Sequence, residues 1–105
     1  VASAMADALS LLPDEFTLRQ NYPNPFNPST TIEFTLPNPT EVSLVIYNLM
    51  GQEVRTLKRG MMDTGHHSIL WHGKDNKGQP VSSGVYLVRF RSHEWTASHK
   101  MLMLK

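Results

Sequence analysis

Short stretches of alternating apolar and polar residues, each ended by a turn rich in proline, glycine or asparagine, most restrict what this chain can fold into. Alternation with a period of two is the pattern of a β-strand with one buried face. It recurs along the chain at residues 16–19, 31–36, 42–47, 65–71, 85–91 and 95–104, and residues 53–58 form a further short segment predicted to be a strand. This part of the sequence has no sustained helical period. The pattern therefore predicts an all-β fold, an immunoglobulin-like antiparallel β-sandwich of about seven strands.

Two of these strands have compositions that predict their places in the sheets. Residues 42–47 are apolar on both faces, which is typical of a central strand. Residues 53–58 are short and charged, which favours an edge strand. The prolines after residue 20 all fall between predicted strands, where the missing N–H costs no ladder bond.

The first fourteen residues differ in character from the rest. Residues 1–14 are expected to form a linker from an upstream cargo domain, and residues 15–105 the folded domain. The alternative is a short helical turn that Pro13 ends. Residues 1–12 have no basic n-region, so any export signal would lie upstream. We therefore expect the tail of a longer precursor.

The segment from residue 20 to residue 30 is dense in proline and asparagine. Each proline fixes its own φ and drives the residue before it to an extended state. Tyr22 and Phe26 are expected to be the apolar side chains that pin this segment to the domain. A rigid connection between the sheets is favoured over a recognition loop.

Two further segments contain turn chemistry. Trp71 shares its face with other apolar residues and is predicted to be core, and Asp75 followed by Gly78 suits a tight turn. A calcium loop is disfavoured there because lysines flank Asp75. The spacing of Gly84 and Tyr86 is typical of a tyrosine corner, in which the hydroxyl bonds to upstream backbone.

Composition argues against several classes of function. The chain has no cysteine and its formal net charge is +1, so thiolate metal sites and a basic nucleic-acid footprint are absent. No apolar run approaches the roughly 18 residues of a membrane span. No two histidines have the strand spacing of metal ligands, and no serine lies in a nucleophile elbow. We therefore expect no enzyme activity, no cofactor and no bound metal.

The last predicted strand becomes apolar on both faces near its end. Met101 and Met103 share one face, whereas Leu102 and Leu104 share the other. A strand at the margin of a sheet needs only one buried face. Leu102 and Leu104 are therefore either available to a partner or covered by a neighbouring loop, and periodicity does not decide between the two.

The sequence resembles the type A C-terminal sorting domains of the type IX secretion system over residues 16–105. The matching segments are Phe16-x-Leu18-x-Gln20-Asn21-Tyr22-Pro23-Asn24-Pro25-Phe26-Asn27-Pro28-Ser29-Thr30, Val45 to Val54 with Gly51, Gly65-x-His67, Trp71-x-Gly73-x-Asp75-x-x-Gly78, Ser83-Gly84-Val85-Tyr86 and Lys100-Met101-x-x-x-Lys105. The middle section is also similar to the immunoglobulin-like domain of flagellar hook-capping proteins. One departure is His72, where the sorting family usually carries Asp.

The resemblance implies a cargo label at the C-terminus of a secreted or cell-surface protein that crosses the periplasm of an outer-membrane bacterium. The implied partners are an outer-membrane translocon and a sortase-like surface peptidase, which can remove the domain. The residues expected to be recognised are Lys100, Met101, Leu102, Met103, Leu104 and Lys105, with Gly84 and Tyr86. The strand end is expected to add to the edge of a partner's sheet. Gly51, Trp71, Asp75, Gly78, Tyr22 and Phe26 are expected to be structural.

Two other functions remain open from the sequence. A carbohydrate-binding or adhesive module appended to a secreted enzyme would use an exposed aromatic side chain, and Trp95 is the candidate. A structural scaffold similar to the hook-capping domain would self-associate.

Overall fold

The computed structural model describes residues 13–105, in which seven strands form two antiparallel sheets. The strands are β1 (Thr17–Leu18), β2 (Thr30–Leu36), β3 (Thr40–Asn48), β4 (Glu53–Met62), β5 (Gly65–Trp71), β6 (Gly84–Arg91) and β7 (Thr96–Met103). The predicted immunoglobulin-like β-sandwich is confirmed. The linker predicted at residues 1–14 lies, up to residue 12, outside the described residues.

The two sheets have three and four strands. The smaller sheet has the order β1-β2-β5, and the larger has the order β4-β3-β6-β7. The predicted places of two strands are confirmed, since β3 pairs with β4 and β6 and lies inside its sheet, whereas β4 lies at an edge. The turn that contains Pro37 and Pro39 carries the chain from the small sheet to the large one.

The core lies between the sheets and follows from the alternation of side chains. Ile32, Phe34 and Leu36 of β2 are buried against the inward side chains of β3 and β6, which include Leu44 and Phe90. Each such side chain contributes about 1.5–3 kcal/mol when it is fully removed from water. Val45 is buried on the opposite face of β3, as the second apolar face of that strand predicts.

Strand β4 is longer than the sequence predicts. The predicted strand ends at residue 58, before Gly60. In the structure the ladder continues to the pair of Thr40 with Met62. Two register irregularities, after Leu44 and after Ile46, let the strand follow β3 over this length.

Trp71 is the largest fully buried side chain. Replacing it with alanine removes a ring packed between Phe26 and Tyr86, so we expect Trp71→Ala to lower the free energy of unfolding by about 3–5 kcal/mol. Trp71→Phe keeps a ring but loses the 2.9 Å bond from Nε1 to the Lys74 carbonyl, and a smaller loss is expected. Urea denaturation of the three proteins measures both values, and equal stabilities would contradict the core assignment.

Candidate functional site at the terminal strand

The end of β7 divides its side chains between the core and the solvent. Met101 and Met103 point inward and are fully buried. Lys100 is exposed, Leu102 is half-buried and Leu104 is 52% exposed. Of the residues predicted to be recognised, the two methionines are thus held in the core, where a partner cannot contact their side chains while the domain is folded.

The outer edge of β7 is covered by the proline-rich segment. The Phe26 N–H donates to the Leu102 carbonyl at 2.9 Å, and the Leu104 N–H donates to the Phe26 carbonyl at 3.0 Å. Phe26 thereby forms a parallel bridge with Met103. The expectation that residues 101–105 offer a free edge for strand addition is wrong, because the outward main-chain groups at Leu102 and Leu104 are already paired.

Side chains of the proline-rich segment also form hydrogen bonds with the main chain at the outer edge of β7. The Asn24 Oδ1 accepts from the Leu102 N–H at 2.9 Å, and the Gln20 Nε2 donates to the Lys100 carbonyl at 2.8 Å. We call residues 20–26 the clamp. Nearer the end of the sequence, the Lys105 N–H donates to the Ser83 Oγ at 2.9 Å. The last residues of β7 are therefore held from both sides.

The clamp is anchored to the smaller sheet as well. Tyr22 exchanges two main-chain hydrogen bonds with Thr31, at 3.0 and 2.9 Å. The clamp therefore connects β2 to β7 across the open side of the sandwich, and this favours its interpretation as a rigid connection. Three of the peptide bonds in this region, those before Pro23, Pro25 and Pro28, are cis.

The side chains that fix the clamp differ from those expected. Phe26 is buried, as predicted, but the prediction for Tyr22 is wrong, since 80% of its side chain is exposed. Only the main chain of Tyr22 is tied down. Asn21 is buried instead, and its Nδ2 donates to the Thr30 Oγ1 at 3.0 Å and to the Pro23 carbonyl at 3.2 Å. Hydrophobic alternation gives no signal for a buried asparagine, which is why sequence reasoning missed it.

An aromatic cluster supports the clamp from within the core. The rings of Phe26 and Trp71 have centroids 5.6 Å apart, and those of Trp71 and Tyr86 lie 5.4 Å apart. Gly73 lies in the turn after Trp71, where an added Cβ would meet the end of the Met103 side chain and lie 2.7 Å from the Pro28 carbonyl oxygen. A glycine is therefore required where this turn meets the Met103 side chain and the main chain at Pro28, just after the clamp.

The residues around Gly84 form the expected tyrosine corner. The Tyr86 hydroxyl donates to the Ser82 carbonyl at 2.6 Å. Gly84 lies opposite Met103 in the ladder and has a φ of 154°, which side chains disfavour. Burial raises the pKa of Tyr86 above the ordinary value of 10.0. Tyr86 is thus a buried structural side chain, and Gly84 contributes its main chain to the ladder at the end of β7.

The other predicted structural residues lie in two turns. The Asp75 Oδ1 accepts from the N–H groups of Lys77 and Gln79, both at 2.9 Å, and Gly78 takes a φ of 80°. Gly51 takes a φ of 81° in the turn between β3 and β4. The Asp75 carboxylate thus accepts hydrogen bonds from the backbone of its own turn.

Two other kinds of feature are absent from the residues that the structure describes. Within residues 13–105, no group of three or more His, Asp and Glu side chains is placed to hold a metal ion. The same residues include no helix long and apolar enough to cross a membrane.

Trp95, the candidate for sugar stacking, packs against other aromatic side chains. Its ring is stacked on Phe16 with centroids 5.7 Å apart and an interplanar angle of 10°. Its centroid lies 5.5 Å from that of Phe90. These contacts make Trp95 part of the margin of the core.

The clamp can be tested through one matched pair of asparagines. Asn24→Ala removes the acceptor of the Leu102 N–H, so we expect the free energy of unfolding to fall by about 0.5–1 kcal/mol and the Leu102 amide to exchange faster. The control is Asn27→Ala, since Asn27 also precedes a proline and is exposed. Amide hydrogen exchange followed by NMR measures the protection of the Leu102 amide in both variants. Equal protection in the two would contradict the role of Asn24.

The Tyr86 hydroxyl predicts a specific pH dependence. Because folding raises its pKa, the neutral form stabilises the fold below pH 10, and this contribution is lost as the pH rises through the folded-state value. We expect Tyr86→Phe to lower stability by about 0.5–1.5 kcal/mol at neutral pH, through loss of the bond to Ser82. The difference from the parent protein should shrink above pH 10. Urea denaturation from pH 7 to pH 11 measures this, and a constant difference would contradict it.

Comparisons with known proteins agree with the architecture. Solved structures with this fold include dimeric latent PorU from Porphyromonas gingivalis, at 21% identity and a TM-score of 0.69, which covers 88% of this chain and 9% of that one. A second is PorZ of Porphyromonas gingivalis, which is described as an essential bacterial surface component of the type IX secretion system. It has 21% identity and a TM-score of 0.53, and the alignment covers 88% of this chain and 12% of PorZ. A third is FlgD from P. aeruginosa, with 20% identity and a TM-score of 0.57, where the alignment covers 88% of this chain and 68% of FlgD.

The likeness to these structures is one of fold, and the chain spans only a small part of PorU and PorZ. A search of the curated proteins gave no match. Residues 26–94 match the family model of the FlgD Ig-like domain, and this range includes the buried Phe26, the Trp71 turn and the tyrosine corner. Since that match extends over more than half of the sequence, the chain belongs to the family of FlgD Ig-like domains.

Proposed function

We propose that the chain is a C-terminal sorting signal, recognised by the type IX secretion machinery, that delivers an upstream cargo domain to the cell surface or the medium. The partners are an outer-membrane translocon and a sortase-like surface peptidase, and the domain itself is not catalytic. The proposal is supported by the residues shared with type IX sorting domains over residues 16–105. The likeness in fold to PorZ, whose description names that secretion system, is consistent with it.

The observation that carries the proposal is the fixed display of the end of β7. Lys100, Leu102 and Leu104 point away from the core, while Met101 and Met103 between them are buried. The clamp bonds to the main chain at the same residues. A side-chain pattern held in one conformation binds with a smaller loss of conformational entropy than a mobile tail does. The end of β7 therefore has the properties of a preorganised recognition element.

The mode of recognition follows from the occupied edge. Because Phe26 and Asn24 already pair with the outward groups at Leu102 and Leu104, a partner reads this end through its side chains. Strand addition at these residues would require the clamp to leave. We therefore place specificity in the side chains of Lys100, Leu102, Leu104 and Lys105.

The proposal is tested by surface delivery of a reporter. Residues 1–105 are fused to a passive secreted reporter and expressed in a bacterium that has a type IX system. We expect the parent fusion on the surface, and Leu104→Ser/Lys105→Ser to reduce delivery about tenfold or more, equivalent to the loss of about 1.4 kcal/mol of binding. Surface labelling and cell fractionation measure the delivered fraction.

A matched control separates recognition from folding. Leu70 is 48% exposed, close to the 52% of Leu104, and lies on the smaller sheet. Leu70→Ser/Lys77→Ser makes the same chemical change and should leave delivery unchanged. Deleting residues 101–105 is a poorer test, because it removes two buried methionines at about 2–5 kcal/mol each and would unfold the domain. Normal delivery of Leu104→Ser/Lys105→Ser would refute the proposed recognition element.

A further inference from the structure

The outer face of the larger sheet has several apolar side chains next to β7. Side chains directly opposite each other in an antiparallel ladder share a face. Tyr47 of β3 lies opposite Leu87 of β6, which lies opposite Lys100 of β7, and Val85 lies opposite Leu102. Tyr47, Val85, Leu87 and Leu102 are all half-buried on the side away from the core. We call this surface the β6–β7 face.

A groove crosses the β6–β7 face. It has a volume of about 320 Å³ and is lined by Tyr47, Leu49, Val85, Leu87, Arg89 and Lys100, among others. Leu49 is 73% exposed at the tip of the β3–β4 turn. The Asn48 Oδ1 holds that turn by accepting from the N–H groups of Met50 and Gln52, each at 3.0 Å. An exposed leucine on a braced turn therefore forms one wall of the groove.

The charges at the groove have one sign. Arg89 and Lys100 line it, and no carboxylate does. Lys100 pairs with Leu87 and Ser98 pairs with Arg89, so the two cations are diagonal neighbours, about 7–8 Å apart between Cα atoms. In the part of the chain that the structure describes, the one ion pair is that of Arg59 with Glu53. Two neighbouring cations without a counter-charge repel each other, and an anion placed between them relieves the repulsion.

We propose that the β6–β7 face binds an extended segment of a partner protein in which two apolar residues and one carboxylate occupy alternate positions. Outward residues on a strand repeat every 6.6–6.8 Å or so, which is also the spacing of alternate side chains in an extended peptide. Val85 and Leu87 match the apolar positions, and Arg89 with Lys100 matches the carboxylate. The assignment of this partner to the export machinery rests on the proposed function.

The charge count favours a peptide over an anionic membrane. Membrane recognition by basic residues uses clusters of about four to eight Lys and Arg side chains. The groove has two, Arg89 and Lys100. A single carboxylate matches two cations better than a charged lipid surface does.

The test is an NMR titration of the 105-residue chain with a synthetic peptide in which two leucines and a glutamate alternate with threonines. We expect amide shifts at residues 85–89 and 98–102. A peptide with glutamine in place of glutamate, or the protein variant Arg89→Gln/Lys100→Gln, should bind about tenfold more weakly. The control Lys74→Gln/Lys77→Gln makes the same charge change in an exposed turn and should bind as the parent does.

The thermal midpoint of unfolding distinguishes a loss of binding from a loss of stability. Removing two like charges should leave the midpoint of Arg89→Gln/Lys100→Gln unchanged or higher, although the peptide binds more weakly. Equal binding of the glutamate and glutamine peptides would overturn the proposal. So would an absence of shifts on the β6–β7 face, or stronger binding to phosphatidylglycerol vesicles than to the peptide.

The reporter assay separates this inference from the proposed function. If the peptide binds at the face but the parent fusion is not delivered to the surface, the proposed function fails and the binding face stands. If the fusion is delivered and Arg89→Gln/Lys100→Gln is delivered equally well, the face is not the surface that the export machinery reads.

Discussion

The pairing of Phe26 with β7 is the interaction on which the rest of the structure depends. A sandwich whose sheets end in open edges exposes unpaired N–H and C=O groups that invite other strands. Here the clamp pairs with those groups at Leu102 and Leu104, and Tyr22 ties it to β2 in the other sheet. Asn24 adds a side-chain acceptor for the Leu102 N–H. One short segment therefore closes one side of the sandwich and fixes the end of β7.

This closure explains why residues far apart in the sequence meet in one cluster. For Phe26 to reach β7, Trp71 must lie beneath its ring, and the next turn must approach closely enough that Gly73 has no room for a Cβ. Tyr86 braces the other side of Trp71. Loss of one ring therefore loosens the clamp as well as the core. Stability of the core and order at the end of β7 are coupled for this reason.

The sequence could predict the strands better than it could predict the site. Period-two alternation placed six of the seven strands, because a buried face imposes it locally, and the short charged segment at residues 53–58 placed β4. It did not extend β4 through Gly60, since pairing with β3 overrides local turn preference there. It also failed at the clamp, where Asn24 and Leu102 are joined across 78 positions. Tyr22 is exposed, against expectation, and Asn21 is buried beside it, because hydrogen bonding, which alternation does not encode, decides which of them is buried.

The same alternation couples the core to the surface at β7. Met101 and Met103 hold the strand by burial, and that burial fixes where Lys100 and Leu102 point. Under the proposed function, a partner that contacts the outward side chains would bind only when the inward ones are packed. The outward face has a cost, since Arg89 and Lys100 repel each other and Leu49 remains in water. Neither feature stabilises the fold, and the partner proposed for the β6–β7 face would cover the exposed leucine and neutralise the two cations.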